Sequence, residues 1–169
     1  NYHNAVKGLE ATLRDHDLLE EWAVFLSFCK RYRYFLTTTP FAPSVLLREI
    51  LKWKSATSPS LSKLLTQASD AVREQVVKTQ HSFDQLQLEN LNPLWQSAIS
   101  DIRSRSHGDT WIGLVCTETR LVEPLRKFLE THHEEDIWLW PVRPVELKST
   151  EIYGQLVVLG PTQRYVSEG

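Results

Sequence analysis

The stretch WIGLVCTETRLVEPLRKFLE, Trp111 to Glu130, decides how the chain is read. Its first part, Trp111 to Cys116, is an uncharged run rich in β-branched and aromatic residues, with the length of a buried strand. Thr117 to Thr119 is polar, and from Arg120 to Glu130 the leucines recur at helical spacing. Two further runs of the strand type follow, Ile137 to Val142 (IWLWPV) and Gln155 to Leu159 (QLVVL). Strand, helix and strand in that order make a βαβ unit, whose strands are parallel and whose crossover is right-handed. The third run is reached through VRPVELKSTEIYG, residues 142–154, which has no regular helical pattern.

Upstream the periodicity differs, and His107, Gly108 and Asp109 form the turn that marks the change. From Asn4 to Arg105 apolar residues recur every three or four positions, as in Leu9, Leu13, Leu18 and Leu19 and then Trp22, Phe25, Leu26 and Cys29. That is the pattern of amphipathic helices. Pro40 and Pro43 interrupt it, and Ser44 is expected to cap a helix from Val45 to Lys54. After the break SATSPS, residues 55–60, Ser58 or Ser60 is expected to start one long helix from Leu61 through Val76 toward Phe83. Leu94, Trp95, Ala98, Ile99 and Ile102 make a last helix, giving four or five in all. The expected fold is therefore α/β with a large helical part. A helical region, 1–106, precedes a small three-layer α/β piece, 107–169, built on a short parallel sheet.

With 169 residues, 41% hydrophobic and 24% charged, the chain can form one domain of ordinary size, or a small domain with an appendage, around a core that needs no staples. Cys29 and Cys116 are read as core residues rather than a disulfide framework. The 19 basic and 21 acidic residues give a net charge of -2, which disfavours an indiscriminate nucleic-acid binder and leaves room for a local basic patch. The first residues lack the apolar core of a secretory signal. The longest uncharged stretch, Tyr34 to Leu47, is too short and too broken by proline to cross a bilayer. An intracellular location, cytoplasmic or nuclear, with no membrane partner is expected. Methionine is absent, so the chain is expected to be a piece of a longer protein.

Ligands of an open parallel sheet bind beyond the carboxyl ends of its strands. Cys116 to Arg120, Arg143 with Pro144, and Gly160 to Arg164 occupy that edge. Each segment brings one arginine, and the first adds hydroxyls at a helix start, whose free N–H groups favour anions. This chemistry selects phosphate, with Thr117, Thr119, Arg120, Arg143 and Arg164 as contacts. The alternative is that Thr117 or Thr119 caps the helix while the arginines pair with Glu118 and Glu146.

A second candidate is CKRYRYF, residues 29–35, where Lys30, Arg31 and Arg33 alternate with Tyr32, Tyr34 and Phe35. Cations neutralise phosphates while tyrosine faces stack on unpaired bases. The same spacing equally fits core packing of Tyr32 and Phe35 with a solvated basic flank. Lys52 and Lys54 around Trp53 pose the same choice. His132 and His133, followed by Glu134, Glu135 and Asp136, lack the second ligand cluster that a structural zinc needs, so no metal is expected. Cys116 has no identifiable base beside it, and no spacing of carboxylates picks out an acid and base, so no catalytic residue is assigned.

The segment from Trp111 to Glu130 resembles motif IV of the superfamily 1 and 2 helicases, which opens the second RecA-like half of the motor. Leu114, Val115 and Cys116 match the strand, Thr119 and Arg120 the loop, and Val122, Leu125 and Leu129 the buried helix face. The match is close over this segment and looser through EIYGQLVVLGP. It departs from the DEAD-box pattern, where the threonine comes two residues after the cysteine, because Thr119 comes three after Cys116. The resemblance implies an incomplete RecA-like segment whose Thr117, Thr119 and Arg143 touch a nucleic-acid backbone. It also implies ATP and magnesium in the parent protein. No Walker A sequence occurs, so this chain holds no ATPase site of its own.

The reading that follows is a piece of a helicase-like protein that contributes strand or phosphate contacts. Its partners would be single-stranded nucleic acid and the rest of the parent chain or another protein. The alternative is a helical interaction or scaffold module with no nucleic-acid or catalytic role, for which six tryptophans offer anchors. A nucleotide site on a Rossmann-like fold ranks last, because no glycine-rich turn follows any strand.

Overall fold

The computed structural model describes residues 1–51, 59–90, 92–105, 111–116, 118–132, 137–147 and 153–158. The chain forms two compact units, one of residues 1–36 with 42–91 and one of residues 37–41 with 92–169. The change of secondary structure expected after residue 106 is present, but α6, Pro93–Arg105, belongs to the unit that contains the sheet. Among the described residues no helix is long and apolar enough to cross a membrane.

In the first unit, α1 is Tyr2–Asp15, capped by the Asn1 side chain, which accepts from His3 N at 3.0 Å. Ala5, Val6, Leu9 and Leu13 form its buried face. The helix stops in a Schellman arrangement: Leu18 N donates to Leu13 O at 2.8 Å and Asp17 N to Arg14 O at 3.1 Å, with Asp17 at φ 56°. Helix α2, Ala23–Thr38, buries Leu26, Cys29, Tyr32 and Phe35, a three-residue spacing that keeps one stripe against the core.

The helix expected from Val45, with Ser44 as its cap, begins two residues earlier, at Pro43. Pro43 supplies its first turn because the ring fixes φ and needs no N–H partner there. This short α3, Pro43–Val45, passes into a π turn, Leu46–Ile50, closed by Leu51 N donating to Leu46 O at 2.9 Å. The long helix expected from Leu61 through Val76 is two helices, α4 (Pro59–Gln67) and α5 (Asp70–Gln87). Ser69 causes the break: its hydroxyl accepts from Val72 N, while the Arg73 guanidinium donates to Ala68 O at 3.0 Å and Leu65 O at 3.4 Å. Helix α5 then packs along α1, and Thr79 Oγ1 donates to Gln75 O at 2.8 Å.

In the second unit, Asn92 is 3% exposed and starts α6: its Oδ1 accepts from Leu94 N, and its Nδ2 donates to Thr39 O at 2.7 Å and Phe41 O at 3.2 Å. Trp95, Ile99 and Ile102 form the buried face. The strands are β1 (Trp111–Val115), β2 (Trp138–Val142) and β3 (Gln155–Val158), in the order β2-β1-β3 and all parallel. Between β1 and β2 runs α7, Thr119–Thr131, which packs on β2 and buries Leu121 and Leu125. Its Phe128 ring meets Phe41 and Trp95 edge to face, at 5.6 and 5.4 Å. The buried face differs from the expected one, since Val122 and Leu129 are half-buried and Leu121 takes the interior position.

Candidate nucleic-acid interface

Strands β1 and β2 end level: Val115 pairs with Val142, and Cys116 N donates to Val142 O at 2.8 Å. Parallel pairing therefore puts the start of α7 and Arg143 at one edge of the sheet. Thr119 is the first residue of α7 rather than part of a loop, and Glu118 stands at the cap position without a side-chain capping bond. Arg120 Nε donates to Glu118 Oε2 at 2.7 Å. After β2, residues 144–147 make a 3₁₀ turn that folds Glu146 back: its carboxylate accepts from Arg143 N at 2.8 Å and from Arg143 Nε at 2.9 Å. The hydrogen bond from Arg143 holds the Glu146 carboxyl below the usual carboxylate range. The arginines thus make the pairs with Glu118 and Glu146 that the second reading of the sequence describes. Thr117 and Arg164 lie outside the described residues.

Cys116 is buried, with Sγ 3.4 Å from Glu118 O, and burial pushes its thiol pKa up, which disfavours the nucleophilic thiolate.

The α2 candidate resolves by helix face. Tyr32 and Phe35 are fully buried. Tyr32 sits edge to face on Tyr2 at 5.5 Å and 4.9 Å from Phe83, and its hydroxyl donates to Pro43 O at 3.3 Å. These rings are core and have no face for a base. The basic residues divide, with the Arg31 guanidinium over the Phe35 ring at 5.8 Å and Lys30 Nζ 2.8 Å from Glu10 Oε1 on α1. Glu10 also meets Arg14 Nη2 at 3.3 Å. Its carboxyl is held down first by the Lys30 hydrogen bond, with the Lys30, Arg14 and Arg33 charges adding to it. The His3 imidazole has its pKa lowered first by lost hydration and then by the fields of Lys7 and Arg33. Cationic groups of α1 and α2 thus gather around one carboxylate. Lys52, Trp53 and Lys54 lie outside the described residues.

A third surface was not singled out by the sequence. Parallel register pairs Trp111 with Trp138 and Gly113 with Trp140, so alternation places Trp111, Trp138 and Trp140 on one face of the sheet. Trp111 lies 5.1 Å from Trp138 and 6.3 Å from Trp140, ring centroid to centroid. The three rings are 41–51% exposed, and Leu156 of β3, on the same face, is 40% exposed. The β1 run is buried beyond Trp111, as expected, whereas β2 and β3 are half-buried, so the sheet has an apolar face outward. Arg126 of α7 lies over Trp140 at 5.2 Å, donates to Glu123 Oε2 at 2.8 Å, and has a buried Nε without a hydrogen-bond partner. The signal was present as W-x-W in β2 opposite a tryptophan in β1.

Among the described residues no group of three or more His, Cys, Asp or Glu side chains is placed to hold a metal. His132 stacks on Phe128 at 4.2 Å, and residues 133–136 lie outside the described residues. No known protein family, curated protein or solved structure matches this chain.

Proposed function

We propose that the chain is a non-catalytic part of a helicase-like protein that holds single-stranded nucleic acid at the carboxyl edge of its parallel sheet. The observation that carries this reading is the level ending of β1 and β2, which brings Thr119, Arg120 and Arg143 to that edge. The Arg143–Glu146 pair is 41% exposed on both sides, and a pair so solvated contributes little to stability. A phosphate therefore replaces the carboxylate at little cost and receives the same forked donors. ATP and magnesium chemistry belongs, on this reading, to other parts of the parent protein.

Titration of a labelled single-stranded oligonucleotide at several salt concentrations tests it. The R120A/R143A double variant is expected to lower affinity and to flatten the slope of log K against log salt by about 0.7 for each phosphate no longer neutralised. An unchanged slope, or a wild-type chain that does not bind, overturns the reading. A second reading, as a protein-interaction module, is favoured by one observation, the shared outward face of Trp111, Trp138 and Trp140. Mutating these rings with strand binding intact and partner capture abolished would support it.

A further inference from the structure

We infer that the cationic stripe shared by α1 and α2 is a second nucleic-acid surface, one that grips the phosphate backbone of a duplex without reading bases. His3, Lys7, Glu10 and Arg14 recur at three and four residue spacing and so share one face of α1. Lys30 and Arg33 share a face of α2, and the Glu10–Lys30 ion pair of 2.8 Å brings the two faces together. Lys7, Arg14, Lys30 and Arg33 outnumber Glu10 four to one, giving a local excess of positive charge on a chain whose net charge is -2. Beyond Arg14 the exposed Asp15, Asp17, Glu20 and Glu21 reverse the sign and bound the stripe.

The length fits a duplex. The eleven steps from His3 to Arg14 span about 16 Å at 1.5 Å per residue, close to five base pairs at 3.4 Å each. Among the rings of these helices, Tyr2, Tyr32 and Phe35 are core and offer no face to an unpaired base, while Tyr34 is half-buried against Phe35. A membrane is the weaker fit. A helix lying on lipid keeps an apolar face free to insert, whereas Ala5, Val6, Leu9 and Leu13 of α1 are buried.

This inference rests on the reading of the protein as a nucleic-acid binder, but on a different surface, so the two can fail separately. The test measures binding of the whole chain to a labelled duplex, to the matching single strand and to phosphatidylserine vesicles, for the wild type, K7A/R33A, E10Q and R120A/R143A. Circular dichroism checks each fold. K7A/R33A is expected to weaken duplex binding and to reduce its salt slope by about 0.9 for each phosphate no longer neutralised, or about 1.8 for the pair. E10Q removes the opposing charge and is expected to strengthen duplex binding, an effect that damage to the fold does not produce. R120A/R143A is expected to leave duplex binding unchanged while weakening the single strand.

The inference is overturned if K7A/R33A leaves the duplex slope unchanged, if E10Q weakens binding, if only the sheet-edge variant affects the duplex, or if the stripe carries vesicle binding alone. If the wild type binds no nucleic acid, both readings fall. If only single-strand binding is missing, the sheet-edge reading falls and the stripe stands.

Discussion

Arg143 and Glu146 are three residues apart on a tight turn, and their forked hydrogen bond is made in contact with water. Such a pair contributes little to folding, so Arg143→Ala is expected to leave the urea denaturation midpoint nearly unchanged. The same substitution should move the Glu146 carboxyl back up toward its ordinary value, read by NMR titration. Because the folded state lowers that pKa, the pair's contribution is present above the ordinary carboxylate range and is lost as pH falls through the lowered value. Cys29 is the opposite kind of residue. Burial pushes its thiol up to about 11, so at mildly alkaline pH it stays protonated and out of reach. Alkylation by iodoacetamide, followed by mass spectrometry, is expected to proceed at the rate of global unfolding. Cys29 was legible as core from its helical spacing, whereas no spacing reveals whether an arginine at a sheet edge meets a phosphate or its own glutamate. That choice depends on where the turn after β2 sends residue 146.

Helices and strands were largely legible because their apolar residues keep one period, as in Leu26, Cys29, Tyr32 and Phe35 or Trp138 and Trp140. Two of the misreadings, the start of α3 and the α4–α5 junction, fall at boundaries, where local capping overrides a continuous pattern. The stripe from Leu61 to Val76 runs through the α4–α5 junction without a change of hydrophobicity, and only Ser69 before Asp70 announces the break. Ser69→Ala is expected to cost about 1 kcal/mol, measured by thermal or urea unfolding. Asp17, at φ 56°, holds a left-handed conformation that glycine adopts freely, so Asp17→Gly is expected to leave stability unchanged or raise it by about 0.5 kcal/mol. In β1 the constraint is space. A Cβ added at Gly113 would lie 2.7 Å from Leu156 Cδ2 and 3.0 Å from Val142 Cγ2. Since both are methyl groups that can shift somewhat, Gly113→Ala is expected to cost about 1 kcal/mol.

At the scale of the whole molecule, the tryptophans separate the two roles that aromatic residues play here. Trp22 and Trp95 are core, at 1% and 4% exposure, while Trp111, Trp138 and Trp140 form an outward cluster. Acrylamide quenching is expected to show an accessible and a protected class of emission. Trp138→Phe should shrink the first, and Trp22→Phe the second. The sequence did not distinguish them, because a run such as IWLWPV is equally apolar whether one of its faces is covered or not.

The units are also not consecutive in sequence: the chain crosses between them three times, and residues 37–41 are built into the later one. A polypeptide synthesised from residue 92 onward would lack the Thr39 and Phe41 carbonyls that receive Asn92 and the Phe41 ring that meets Phe128. The C-terminal half cannot therefore be obtained intact by truncation alone, and a separate peptide carrying 37–41 should rescue it in trans.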